Sequence, residues 1–198
     1  MEYQFKTNKA CLFHDVNQWD EIITRMMCSI YAPFINAKYN WVISDFSEDD
    51  IKAVAKIQHE AWKFDYKLGA YSKDSVPAVV NYIKNTMWVE CNLAVSKNDS
   101  ELTEWINRWF ATMLGLKVNR SFYNDKLDGK LDAMDYASYK WDTWHFTNII
   151  KYNCRGKECE DMGQEYILDS YFWKSSIYKC NIKEILKNID MRTKYIIF

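Results

Sequence analysis

The 198-residue sequence predicts an α+β fold, predominantly helical, in a single globular domain spanning residues 1–198. Three observations lead there. Hydrophobic residues make up 48% and aromatics 17% of the chain, enough to fill a sizeable core and to exclude disorder. Only 5 Gly and 2 Pro punctuate it, which disfavours sandwiches and barrels with their many tight turns. Apolar residues recur at spacings of three and four through much of the sequence, while short β-rich runs lie near its ends. The expectation is about five to seven helices and a small sheet formed by short strands near both termini.

Each element has its own signal. Tyr3 and Phe5 alternate with polar neighbours, as in a half-buried strand. Asp15, with Gln18 in capping-box position, opens a helix whose stripe is Val16, Trp19, Ile22, Ile23, Met26, Met27 and Ile30, closed by Pro33. "YNWVISDF", 39–46, reads as a second strand. Ser47 caps the next helix, with Glu48, Asp49 and Asp50 in its first turn. Its inner face carries Ile51, Val54, Ala55, Ala61 and Trp62.

A further helix starts near Ser75, with Pro77 in its first turn, and runs through Val79, Val80, Ile83, Met87 and Cys91. Another follows "NDS", through Leu102, Trp105, Ile106, Trp109, Phe110, Met113 and Leu114, and stops at Gly115. "LKVNRSFY", 116–123, reads as a strand, and 131–152 fit a helix through Met134, Ala137, Trp141, Trp144, Ile149 and Tyr152. "EYILDSYFWKSSIYK", 165–179, suits helix or strand equally. Asn181 and Glu184 cap a short helix through Ile182, Ile185, Leu186 and Ile189, and "KYIIF" closes the chain as a strand.

Composition limits the function classes. A formal charge of −1 gives no global field towards nucleic acid. The abundance of Lys, Asn, Ile and Tyr matches A/T-rich coding. Met-Glu-Tyr-Gln-Phe-Lys has neither the basic start nor the apolar run of a signal peptide, and no apolar stretch reaches membrane-spanning length. The expected location is therefore cytoplasmic, with no membrane partner and with the 6 cysteines mostly reduced.

The most suggestive motif is "NDKLDGKLDAMD", Asn124 to Asp135, which resembles an EF-hand calcium loop over its own length. Asn124, Asp128, Gly129, Leu131 and Asp135 fall where that loop places ligands, its glycine and its apolar residue. Lys126 stands where a carboxylate is needed, and no glutamate closes the loop. The stretch therefore reads first as a turn with an acidic helix start. If the region is helical, Asp128, Asp132, Asp135 and Asp142 share a face, with Asp125 just before it. That row of carboxylates is the candidate partner-binding face.

At the other end, Lys179, Lys183 and Lys187 form an i, i+4, i+8 basic stripe. Cys11-x-x-His14 and Cys154-x4-Cys159 have no diagnostic zinc spacing, so neither a metal nor a cofactor is expected. "DIKAVAKIQHEAW", 50–62, resembles the first helix of acyl-CoA acetyltransferases, but the glycine-rich pyrophosphate loop of such enzymes is absent from the chain. A Walker sequence and a nucleophile elbow are absent too.

The functional expectation is a non-catalytic protein that occludes a surface on another protein or a protein–nucleic acid complex. Its abundant Trp and Tyr suit interface anchors, and its residue usage suggests a phage or mobile-element inhibitor of a host or defence protein. Two rivals stand beside it. One is a small intracellular enzyme assembling His59, Glu60, His145 and cysteines from distant positions. The other is a nucleic-acid binder using the lysine stripe.

Overall fold

Helix α1, Cys28–Tyr39, is buried on nearly every side: Ile30, Ala32, Ile35 and Asn36, spread around its circumference, all lie inside. It is described by a computed structural model covering residues 28–65, 69–96, 98–118, 127–128, 143–151, 165–169, 176–180 and 194–198. The remaining elements follow in chain order: α2 (Glu48–Glu60), β1 (Phe64–Asp65), β2 (Gly69–Ala70), α3 (Ser72–Asn85), β3 (Leu93–Ser96), α4 (Asp99–Asn107) and β4 (Thr112–Val118). Then come β5 (Leu127–Asp128), β6 (Thr143–Lys151), β7 (Glu165–Asp169), β8 (Ser176–Cys180) and β9 (Lys194–Ile197). The fold class is α+β.

Among the described residues there are four helices rather than five to seven. The main sheet is seven-stranded and antiparallel, in the order β3-β9-β4-β6-β7-β8-β5, with strands drawn from residues 93–197. The strand expected at the C-terminal end is β9, which lies between β3 and β4 in this sheet. The strand expected at Tyr3–Phe5 and the helix start at Asp15 lie outside the described residues, as does the helix expected from Asn181.

Helix α1 packs against β4, β6 and β9 on one side and against α3 on another. This surrounding contact explains why Pro33 lies inside the helix instead of ending it. A proline there forfeits one intrahelical hydrogen bond, and burial on all sides holds the helix regardless. Phe34 stacks on Phe46 with ring centroids 5.2 Å apart and meets Tyr82 edge-on at 6.0 Å, joining α1, the loop after it and α3.

Three local readings change. Where a strand over 39–46 was expected, Tyr39 ends α1 and residues 40–46 turn and bend, because Asn40 and Trp41 close the helix there. Helix α4 ends at Asn107, and Met113, Leu114 and Gly115 belong to β4. Gly115 pairs with Phe146, and a Cβ at Gly115 would stand 2.8 Å from that ring, so glycine makes room for an aromatic rather than stopping a helix. Thr143–Lys151 is a strand where a helix through 152 was expected; its run of aromatic and branched residues is claimed by pairing with β4 and β7.

Two asparagines one turn apart on α1 join it to the sheet. Asn36 Nδ2 donates to the Ala111 carbonyl and to Asn148 Oδ1, both at 2.8 Å, while Asn36 Oδ1 accepts from the Ile197 amide at 2.8 Å. Asn40 Nδ2 donates to the carbonyls of Ala111 (3.0 Å) and Ile197 (2.9 Å), and its Oδ1 accepts from the Ala111 amide at 2.7 Å. Asn148 Nδ2 returns a bond to the Ala32 carbonyl at 3.0 Å. Lys194, buried in β9, forms an ion pair with Asp99 at the start of α4.

Ser47 caps α2 as expected, and the box is completed by Asp50 at N3. Asp50 Oδ2 accepts from the Ser47 amide at 2.6 Å and from its hydroxyl at 2.7 Å, and Oδ1 accepts from Tyr82 Oη at 2.8 Å. Partial burial pushes the Asp50 carboxyl up, but these donors outweigh it and hold the group below the usual carboxylate range. A depressed carboxyl contributes stability above its unfolded pKa, and that contribution is lost as pH falls through the folded value. Ser47→Ala should therefore cost about 1 kcal/mol at neutral pH. The deficit should shrink below about pH 4, where the carboxyl protonates in both chains. Urea denaturation of both proteins across that range checks this; a deficit independent of pH contradicts it.

Candidate partner-binding surface

Every described helix ends at a tryptophan with a positive φ: Trp41 (63°), Trp62 (58°), Trp88 (58°) and Trp109 (67°). The left-handed conformation is the position helices most often give to glycine, because a Cβ there costs about 1–2 kcal/mol. With only 5 Gly in the chain, the helices are closed another way. At α1 the Trp41 amide reaches the Lys38 carbonyl at 3.0 Å and Val42 reaches Ala37 at 2.9 Å. Trp62 to His59 with Lys63 to Gln58, and Trp109 to Ile106 with Phe110 to Trp105, repeat the same paired bonds. Trp88 lies one residue further beyond its helix, where Val89 reaches back to Ile83 at 3.2 Å.

These indoles gain little from folding. Trp62 is 96% exposed, Trp88 86% and Trp41 59%. The inner-face assignment of Trp62 is thus corrected: the helix ends before it, and the reversed backbone turns it to solvent. Trp109, expected on the buried stripe of its helix, is half-buried past the helix end with Lys151 Nζ 5.6 Å from its ring centre.

The asparagine pair gathers several of these aromatics. Trp41 follows Asn40, Trp109 lies two residues before Ala111, and Phe198 follows Ile197, so all three leave the backbone beside one hydrogen-bonded cluster. Phe198, itself exposed, exchanges both backbone hydrogen bonds with Asn92, at 2.7 and 3.0 Å, and Trp88 lies four residues before Asn92. Two of the charges nearby are paired, Lys38 with Asp45 at 2.7 Å and Arg108 with Glu104 at 3.5 Å, and Lys151 Nζ donates to Asn107 Oδ1 at 2.9 Å. What this corner offers is aromatic area rather than a field of one sign.

The residues singled out from sequence are placed differently. Asp128 is in β5, extended, with its Cα opposite that of Lys179 in β8. Carboxylates spaced 4, 3 and 7 apart share a face only on a helix, so Asp128 is not part of one. Lys179, being in a strand, likewise cannot open a helical stripe. Asp125, Asp132, Asp135, Asp142, Lys183 and Lys187 lie outside the described residues.

Of the enzyme candidates, His59, Glu60 and Cys91 are described with their side chains, while Cys11, Cys154 and Cys159 lie outside the described residues. The His59 ring Nδ1 sits 3.0 Å from the Phe64 carbonyl, tying the end of α2 to β1. Burial pushes the Cys91 thiol up despite Lys84, which makes it a poor nucleophile at neutral pH. Among the described residues no group of three His, Cys, Asp or Glu could hold a metal, and no helix is long and apolar enough to cross a membrane. Comparison with protein-family models and with curated proteins finds no match.

The tryptophan caps give a direct expectation. Trp88→Gly and Trp62→Gly should leave the melting temperature unchanged or raise it, by up to about 1 kcal/mol of added stability, since relieved strain opposes the extra freedom of unfolded glycine. Thermal unfolding of each variant measures this. A loss of 2 kcal/mol or more, roughly the cost of removing a packed side chain, would show that the indoles serve folding after all.

Proposed function

We propose that this chain is a non-catalytic, protein-binding factor that acts by covering a surface of its partner with the aromatic corner built from Trp41, Trp88, Trp109 and Phe198. The observation that carries this reading is the retention of exposed indoles at helix ends where glycine would fold more easily. Large rigid aromatics are the side chains that most often dominate binding energy, because they bury much area at little entropic cost. Sites kept at the expense of stability are commonly functional.

The matched charges favour a protein surface over a polyanion. A phage or mobile-element inhibitor of a host or defence protein is one biological setting for such a factor. The dispersed enzyme site has less support, since His59 is occupied at the α2–β1 junction and Cys91 is shielded.

The test is a comparative capture from the native host, using the whole chain and a Trp41→Gly/Trp88→Gly double variant of equal melting temperature as baits. The expected result is a stoichiometric protein retained by the first and reduced at least about tenfold on the second, the scale of one lost interface anchor. Equal recovery on both baits would remove the aromatic corner from the function.

A further inference from the structure

Strand β3 stands at one end of the main sheet, and its register fixes which backbone groups are left over. Asn92 exchanges both backbone hydrogen bonds with Phe198, at 2.7 and 3.0 Å. The alternation of an antiparallel ladder then gives the next exchanges to Ala94 with Ile196 and to Ser96 with Lys194. The amides and carbonyls of Leu93 and Val95 therefore point away from β9, and no backbone hydrogen bond among the described residues reaches them. Both ends of this edge are held in place: Asn92 by Phe198, and Ser96 by its hydroxyl, which accepts the Asn98 amide at 2.9 Å.

Natural edge strands are blunted by charge, proline or a bulge. Within Leu93–Ser96 there is no charged residue and no proline, each residue pairs one-to-one with β9, and Val95 is 52% exposed. The outward groups select an extended backbone as occupant, and the side chains choose which one. When β3 pairs antiparallel with a second β3, Leu93 opposite Val95 about a two-fold axis at Ala94, all four outward groups of each copy find partners. Like then meets like. Leu93 faces Val95 of the second copy, and Ser96 faces its Asn92. Ala94 faces Ala94 where the strands approach most closely, about 4.5 Å between Cα atoms, so the smallest side chain sits at the tightest point. Only Ala94 meets its own counterpart, so neither flanking charge, Glu90 or Lys97, is brought opposite itself. A foreign segment would have to reproduce this order, whereas every copy of the chain already carries it.

We propose that two copies of this chain pair edge to edge through β3, continuing the seven-stranded sheet across a two-fold axis at Ala94. The pairing goes beyond the aromatic corner and does not depend on it. Sedimentation equilibrium and oxidative cross-linking of the full chain test it. The expected result is a reversible dimer with a dissociation constant on the order of 50 µM, as suits a contact built on one short strand pair. The Val95 amide carries no ladder bond within the chain, so Val95→Pro should keep the melting temperature while weakening the dimer at least about tenfold. Val95→Lys, a charge of the kind that guards natural edges, should do the same. Under mild oxidation Ala94→Cys should cross-link the two copies at the axis. Val95→Cys, set two residues from its own counterpart, should do so at least about tenfold more slowly, since a disulfide needs close Cβ atoms. A wild-type chain that stays monomeric to about 500 µM overturns the proposal. So does a dimer that both Val95→Pro and Val95→Lys leave intact, or equal cross-linking of the Ala94→Cys and Val95→Cys chains.

Discussion

The structure depends on a gap in its own sheet that two asparagines close. Strands β4 and β9 pair at Met113 with Tyr195 and at Leu114 with Lys194, and continued pairing would bring Ala111 opposite Ile197. Instead the amide and carbonyl of both residues turn to the side chains of Asn36 and Asn40. A buried backbone group left without a partner costs about 1–3 kcal/mol, so four of them together rival the whole stability of a small domain. Asn36 and Asn148 are fully buried and bonded to one another, which makes the cluster one unit rather than separate contacts. An aliphatic residue of similar size would pack in their place but could not serve those backbone groups.

The same cluster places the outer surface. Because Trp41, Trp109 and Phe198 all depart within two residues of bonds made by Asn40, the geometry of the aromatic corner follows from the order of the interior. Interfaces gain most from side chains whose backbone is fixed before the partner arrives. The left-handed caps act in the same direction, since each is held by paired backbone bonds around the tryptophan. A polar interior and an aromatic exterior are therefore two ends of one arrangement.

Much of the fold was legible in the sequence where local chemistry decides the outcome. Ser47 with its acidic first turn and the branched run of β9 stand where their patterns put them, and α2, α3 and α4 form within their predicted runs, although α3 ends before Met87 and α4 before Trp109. Legibility failed where tertiary contact outweighs local preference. Pro33 stays inside a helix because the helix is enclosed. Gly115 stops nothing because Phe146 needs its empty space, and Thr143–Lys151 is extended because β4 and β7 flank it.

The candidate surface was less legible than the fold. The charge patterns around Asp128 and Lys179 mislead, because helical spacing has no meaning in strands. The available signal was the conjunction of scarce glycine with a tryptophan two or three residues past the α2, α3 and α4 helices, at 62, 88 and 109. Hydrophobic periodicity counts such a tryptophan as one more core position, and only the backbone reversal distinguishes it. Asn36 and Asn40 give no sign in a sequence either, because their partners are backbone groups 71 to 161 residues away.

Amide hydrogen exchange at Ala111 and Ile197 tests the central claim most directly. The Ile197 amide is held by a side chain, Asn36 Oδ1, rather than by a neighbouring strand, so its exchange reports on the asparagine cluster itself. If the asparagines close the sheet as described, both amides will exchange only through global unfolding, and Asn36→Ala will abolish that protection at Ile197. Rapid exchange of the two amides in the intact protein, at the rate of an exposed strand end, would contradict it.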